Sequence, residues 1–334
     1  MDLATVIAGL RNNDFLIVGR VGMDLFPTES GIGIEEATTF IKDMGGSAAN
    51  IAAGIVKLGG RAALVTCVSD DAVGRSCRRM LRDTYGVDDT HVRTVGGEAR
   101  NSLALYETRV QDHQSVIYRN GAADFALTEA DVAAVDYTRF GALITAGTVF
   151  AAEPSRSAAF AAFERARAAG LPIIFDVDYR PYSWPSAAVA EDVLSRAGAL
   201  ADVVVGNDEE FGFMAGGIDK GRDAAKALAD TTAAIVVYKR GAEGAITYTK
   251  DDVFHTGVYP VTALKPTGAG DSFMAGLLTG LADGLDLRAA VLRGSACAAI
   301  VVGKPGCAPA MPAPAELAAF LTAHPGPSDP VEKG

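Results

Sequence analysis

The sequence predicts an α/β fold, a doubly wound and mostly parallel sheet flanked by helices. Three observations predict it. Apolar runs rich in β-branched residues recur along the chain, each closed by turn residues. Ala-rich segments with helical spacing lie between most of them. A chain of 334 residues, 49% of them hydrophobic, can bury one large core without disulfides or metal.

The elements follow in order. Phe15–Val18 is the first apolar run, and the small residues of Ser47–Leu58 form the helix behind it. Ala63–Val68 is a second strand, followed by an amphipathic helix over Val73–Tyr85. Leu143–Ala146, Ile173–Val177, Val203–Val205 and Ile235–Tyr238 continue the strands, with helices over Ser155–Ala169 and Asp223–Asp230 between them. A helix starting near Gly270 carries Phe273, Leu277, Leu278 and Leu281 on one face, and Ala289–Val302 is the last helix of the series. Strands that are apolar throughout are covered on both faces, which is the condition of a parallel sheet.

Two regions interrupt this alternation. Residues 28–44 and about 98–120 are more polar and extended, with Leu103, Leu105 and Glu107, then Val116 and Tyr118, spaced as in strands. They predict either a small β-sheet set apart as a lid or a pair of surface hairpins. The tail PGPSDPVEKG from Pro325 has almost nothing to bury and is expected to be poorly ordered, leaving a single domain over 1–324.

Composition removes several classes of function. A net charge of -11 repels polyanions and provides no basic stripe for nucleic acid, although arginines inside a cleft can still hold a small anion. Cys67, Cys77, Cys297 and Cys307 form no CxxC pair and the four histidines no HExxH, so no zinc site is offered. The cysteines are expected as buried small hydrophobes in a reducing compartment. Asp2, Arg11 and Asp14 near the start do not suit a secretory signal, and no apolar stretch reaches the roughly 18 residues of a membrane span. The expected location is cytoplasmic.

The chemistry concentrates in Thr267-Gly268-Ala269-Gly270-Asp271-Ser272-Phe273. Glycines before a helix let backbone approach a ligand, and the helix's first N–H groups and dipole attract an anion. Asp271 at that spot repels a phosphate unless it has separate work, and accepting a proton from an attacking hydroxyl is such work. The amides of Gly268, Ala269 and Gly270 then face the charge on the transferring group. Taken alone, the segment is equally a capped helix after a Gly-rich turn. No GxxxxGK[ST] and no GxGxxG after a strand offers another phosphate cradle.

The run TGAGDSF resembles the C-terminal signature of the ribokinase-like, PfkB-type carbohydrate kinases. Gly45-Gly46-Ser47-Ala48-Ala49-Asn50, opening a helix near the other end of the chain, is similar to the family's N-terminal signature. The resemblance runs from Phe15 to Met311 and implies a ribokinase-like fold and ATP-dependent sugar phosphorylation. It implies that Asp24, Gly45, Gly46 and Asn50 hold the sugar. Physically, Asn50 offers a donor and an acceptor to hydroxyls, and Asp24 can accept from two of them.

Asn207 and Glu210 resemble the family's NxxE motif, which implies that they organise hydrated Mg2+ and the phosphates, Glu210 through water. A helix N-terminal acid is the plain alternative for Glu210. Lys239-Arg240-Gly241, followed by Gly244, resembles the nucleotide-side strand and turn, and Thr267 completes that side.

Tyr118-Arg119-Asn120-Gly121-Ala122-Ala123-Asp124 and Phe175-Asp176-Val177-Asp178-Tyr179-Arg180-Pro181, with Trp184 beyond, put arginines at a strand end or on the lid, where a fork suits a carboxylate. Both segments resemble the 5-dehydro-2-deoxygluconokinases of myo-inositol catabolism. That implies a sugar acid as substrate, held by Arg119, Asp178 and Arg180. A 2-keto-3-deoxygluconate kinase, a fructokinase-type enzyme or a non-catalytic sugar-binding regulator are the alternatives, and a homodimer through the lid is a further implication. One departure stands out: many members carry Asp-Thr before the signature, and that Asp helps hold a monovalent cation. Lys265-Pro266 stands here, so the Lys265 ammonium replaces the ion or the ion is absent.

Overall fold

The structure, a computed structural model, describes residues 1–109 and 114–329. Thirteen strands are named in chain order: β1 Asp14–Val18, β2 Gly22–Pro27, β3 Phe40–Gly45, β4 Arg61–Ser69, β5 Val92–Val95, β6 Leu103–Tyr106, β7 Ser115–Tyr118, β8 Ala142–Ala146, β9 Ile173–Asp176, β10 Val203–Asn207, β11 Ile235–Lys239, β12 Ala245–Tyr248 and β13 Val253–Thr256. Nine of them form one sheet in the order β13-β12-β11-β10-β9-β8-β1-β4-β5. Every pairing from β5 to β11 is parallel, and β12 and β13 close the edge as antiparallel strands. The predicted doubly wound α/β class is the one observed.

Its cause is visible in β1. Phe15, Leu16, Ile17 and Val18 are all fully buried, so neighbouring residues must enter different cores. Phe15 and Ile17 join Leu64, Ile144, Ile174 and Val205 on one face, under helices that include Ser47–Lys57, Ala269–Ala282 and Leu287–Val302. Leu16 and Val18 join Leu143, Ile173, Phe175 and Val204 on the other, under Ser155–Ala168, Ala187–Leu200, Asp208–Met214 and Gly221–Thr231.

Helix Ala269–Ala282 is buried from Ser272 to Leu281, because small residues let its neighbours close in. A Cβ on Gly276 would lie 2.9 Å from both the Cys297 sulfur and the Gly294 Cα, and one on Gly54 would lie 2.7 Å from the Ala275 Cβ. This packing holds the helix start, and with it Asp271, against the core.

Four strands form a second, smaller sheet in the order β3-β2-β6-β7. Its first strand, Gly22–Pro27, lies before the region 28–44, and only Phe40–Gly45 of that region is a strand. Five of β2's six residues are buried, so it lacks the polar alternation that marked the other strands of the small sheet. Asp24 therefore sits within a strand of the small sheet. Phe26 stacks on Tyr106 with ring centroids 5.2 Å apart on the same face of this sheet. Part of the region 98–120, residues 110–113, lies outside the described residues.

The predicted helix over Val73–Tyr85 is a helix over Ala72–Arg79 that runs on as a wider turn over Met80–Thr84. The tail differs from expectation where it is described. Ser328 donates its N–H to the Val258 carbonyl at 2.7 Å, and the Ser328 hydroxyl accepts from Val258 N–H at 3.2 Å. Residues 330–334 lie outside the described residues. Among the described residues, no helix is long and apolar enough to cross a membrane, and all four cysteines are free and buried.

Candidate active site

The candidate residues gather where the parallel strands end, the edge at which doubly wound sheets bind ligands. Asp178 follows β9, Asn207 ends β10, Lys239 ends β11, and Asp271 opens helix Ala269–Ala282. The entry to that helix turns on Gly268 at φ 84, a left-handed conformation, and a Cβ there would also meet Cys307 at 3.1 Å.

Asn50 Nδ2 donates to Asp271 Oδ2 at 2.8 Å, joining segments 221 residues apart. Burial pushes the Asp271 carboxyl up to about 6, and the Asp178 charge adds to it. The Asn50 hydrogen bond and the cations Arg180 and Lys239 hold it from rising further. The Lys239 ammonium lies 3.3 Å from the place a Cβ on Gly270 would take and 5.8 Å from the Phe273 ring centroid. Its charge thus stands beside the amides of the helix start, of which Ala269 N–H donates to the Pro266 carbonyl at 3.4 Å.

Asp178 adopts φ 35, unusual for a residue with a side chain. Its Oδ2 accepts from Ser47 Oγ at 2.5 Å and Thr148 Oγ1 at 3.2 Å, and its Oδ1 pairs with Arg180 Nη2 at 2.8 Å. Arg180 also lies 3.7 Å from Glu210 Oε1, so its guanidinium spans two carboxylates. Those charges raise the Arg180 pKa, Asp178 most of all.

Glu210 and Asn207 form a reciprocal cap. Asn207 N–H donates to Glu210 Oε2 and Glu210 N–H to Asn207 Oδ1, each at 2.8 Å. One carboxylate oxygen of Glu210 thus holds the helix, and the other faces Arg180 and the cleft. No group of three or more His, Cys, Asp or Glu among the described residues is arranged to hold a metal directly. One carboxylate oxygen at the cleft fits Mg2+, which keeps most of its waters and takes its other ligands from phosphates.

Asp24 is almost fully buried, and neither of its oxygens has a hydrogen-bond partner among the described residues. Burial drives its carboxyl up to about 7 against the pull of Arg20, with Asp271 and Asp43 adding. Its space exists because position 45 has no side chain. Gly46 sits at φ 100, and a Cβ there would strike the Arg20 carbonyl at 2.5 Å.

Arg119 follows β7 with its guanidinium buried on Asp124, Nη2 at 2.5 Å and Nε at 3.2 Å from Oδ2, and over the Phe125 ring at 4.1 Å. Nη1 remains buried without a partner. The fork expected to suit a substrate carboxylate is therefore largely engaged in an ion pair within the protein. Gly241 and Gly244 form the turn between β11 and β12 at φ 55 and 90. A Cβ on Gly241 would meet open space, whereas one on Gly244 would lie 1.9 Å from the Thr256 carbonyl. Lys265 is buried and donates to the carbonyl oxygens of Thr267 and Val301.

Sequence reasoning missed Arg20, Ser47 and Thr148 as site residues. Ser47 lies inside the GGSAAN run, so its motif offered a signal. Thr148, just after β8, reaches Asp178, just after β9, only because the two strands align side by side.

Fold and candidate site together fit the class of phosphotransferases, with the candidate residues at the carboxyl edge of a doubly wound sheet. The chain belongs to the pfkB family of carbohydrate kinases, whose model matches residues 12–314. It is 37% identical over 313 residues to the 5-dehydro-2-deoxygluconokinase of Photobacterium profundum, covering 92% of this chain and 94% of that one. A fructokinase from Vibrio cholerae O395 with fructose, ADP and calcium bound superposes with a TM-score of 0.81 at 27% identity, covering 93% of this chain and 99% of that one. The aminoimidazole riboside kinase of Salmonella enterica, complexed with its riboside and an ATP analogue, gives 0.77 at 25% identity over 92% and 99%.

Proposed function

We propose that this carbohydrate kinase transfers the γ-phosphoryl group of ATP to a hydroxyl of a sugar acid, 5-dehydro-2-deoxy-D-gluconate, in the cytoplasm. The observation that carries the reading is the Asn50–Asp271 hydrogen bond, which aims a carboxylate with pKa near 6 at the mouth of the GAG turn. The name of the relative at 37% identity supports the choice of sugar.

In this mechanism Asp24, Gly45, Gly46, Asn50, Arg119, Asp178 and Arg180 form the sugar pocket. Asn50 orients Asp271, whose Oδ1 accepts the proton of the attacking hydroxyl as its bond to phosphorus forms. The amides of Gly268, Ala269 and Gly270 and the Lys239 ammonium hold the negative charge of the phosphoryl group. Thr267, Gly241 and Gly244 line the nucleotide side. Glu210, positioned by Asn207, holds the water shell of Mg2+, which when bound neutralises phosphate charge. The small sheet closes over the sugar and excludes water as a competing acceptor. Ile41, Val116 and Tyr118, exposed on its strands, support a homodimer through the lid.

A coupled ADP-release assay across sugar acids, ketohexoses and nucleosides tests the reading. Turnover with 5-dehydro-2-deoxygluconate above all others is the expected result. Preference for a neutral sugar or a nucleoside would remove the sugar-acid reading.

A further inference from the structure

The described residues include two arginines that are almost fully buried, Arg20 and Arg119. Arg119 is neutralised by Asp124. The Arg20 side chain forms no ion pair within 4 Å among the described residues, and the one hydrogen bond of its guanidinium there runs from Nη1 to the Ser102 hydroxyl at 2.7 Å. A buried guanidinium held only by a serine is costly unless an anion completes it. The ionisable groups that act on it are Tyr106, Asp24, Asp124 and Asp178, and of these Asp24 and Asp178 belong to the proposed sugar pocket.

The fold makes deliberate room for this side chain. A Cβ on Gly22 would lie 2.6 Å from Arg20 Nη1 and 2.6 Å from Ser102 Oγ, so the contact requires a bare backbone there. The Arg20 carbonyl accepts from Ala49 N–H at 3.3 Å, which fixes the residue beside the start of helix Ser47–Lys57. Asp24 next to it has two unpartnered oxygens. The pair offers an acceptor for hydroxyls and, a short distance away, a fork for an anion. Arg180 is differently employed, since Asp178 and Glu210 already neutralise it and Asp271 is among its neighbours.

We infer that Arg20 is the specificity-determining residue for the substrate carboxylate, gripping the end of the sugar acid remote from the reacting hydroxyl. The inference rests on the sugar-acid reading above. A neutral sugar has no group that needs a buried guanidinium, whereas a carboxylate forms charge-assisted bonds with its free N–H groups. Such bonds are worth a factor of about 100 in binding.

The test compares kcat/KM for 5-dehydro-2-deoxygluconate and for D-fructose in the wild type, Arg20→Met and Arg20→Lys, with ADP binding by calorimetry as the check on folding. The acid-to-fructose ratio is expected to fall about 100-fold in Arg20→Met and to recover in part in Arg20→Lys, which keeps the charge without the fork. Equal losses on both substrates with ADP still bound, or loss of ADP binding in both variants, assign Arg20 to the scaffold and overturn this inference alone. A wild-type enzyme that turns over neither compound, or prefers fructose, overturns the sugar-acid reading and this one with it.

Discussion

The Asp24 carboxylate occupies the space that a side chain at position 45 would fill: a Cβ on Gly45 would lie 1.8 Å from Asp24 Oδ1. The two residues are register neighbours across β2 and β3, through Asp24 opposite Asp43 and Gly22 opposite Gly45. The glycine of the GGSAAN run thus admits an acid from another strand.

Gly45→Ala is therefore expected to push Asp24 out of place. Stability should drop by ~1–3 kcal/mol from overpacking, and kcat/KM for the sugar should fall while ADP binding persists. Thermal denaturation and steady-state kinetics measure the two effects. Wild-type kinetics in this variant would detach Asp24 from sugar binding.

Asp271→Asn keeps the Asn50 contact within reach but removes the base. Turnover should fall by ~10²–10⁴-fold with nucleotide binding retained. In the wild type, kcat/KM should decline as pH drops through about 6, because only the ionised carboxylate accepts the proton. A rate independent of pH between 5 and 8 would count against Asp271 as the base.

Asp24→Asn is expected to stabilise the sugar-free enzyme while abolishing its activity. The folded-state pKa of Asp24 is raised from 3.8 to about 7. Its contribution to stability is then full below about 4, is lost as pH rises from there to about 7, and stays lost above. The Asn variant escapes that loss, so its advantage should grow from pH 4 to 7 and level off at ~4 kcal/mol. Chemical denaturation at pH 4.5 and 8 decides the matter, and an equal difference at both values would show that Asp24 is not titrating.

Lys265 occupies two backbone carbonyls, Thr267 and Val301, with an ammonium. The wild-type rate should change little when a large inert cation replaces potassium, whereas Lys265→Asp should become potassium-dependent. Rates measured in chloride salts of matched ionic strength give the comparison. Strong potassium activation of the wild type would exclude Lys265 as the ion's substitute.

By itself, the sequence determined the doubly wound class, because runs such as Phe15–Val18 can be buried only between two helical layers. It also marked Asp271, Asn50, Glu210 and Lys239, since glycine turns and helix starts are local in the chain. Other features were decided only by tertiary structure. β2 joins the small sheet by pairing with β6, a partner far along the chain, and its buried residues carry no periodic signal of that pairing. Arg119 and Arg180 look alike as arginines near acids, yet Asp124 and Asp178 with Glu210 engage them. Arg20, unremarkable in GRVG, is left buried without an ion pair among the described residues. Charge pairing depends on distances of a few ångströms between distant segments, and only the packed chain sets those distances.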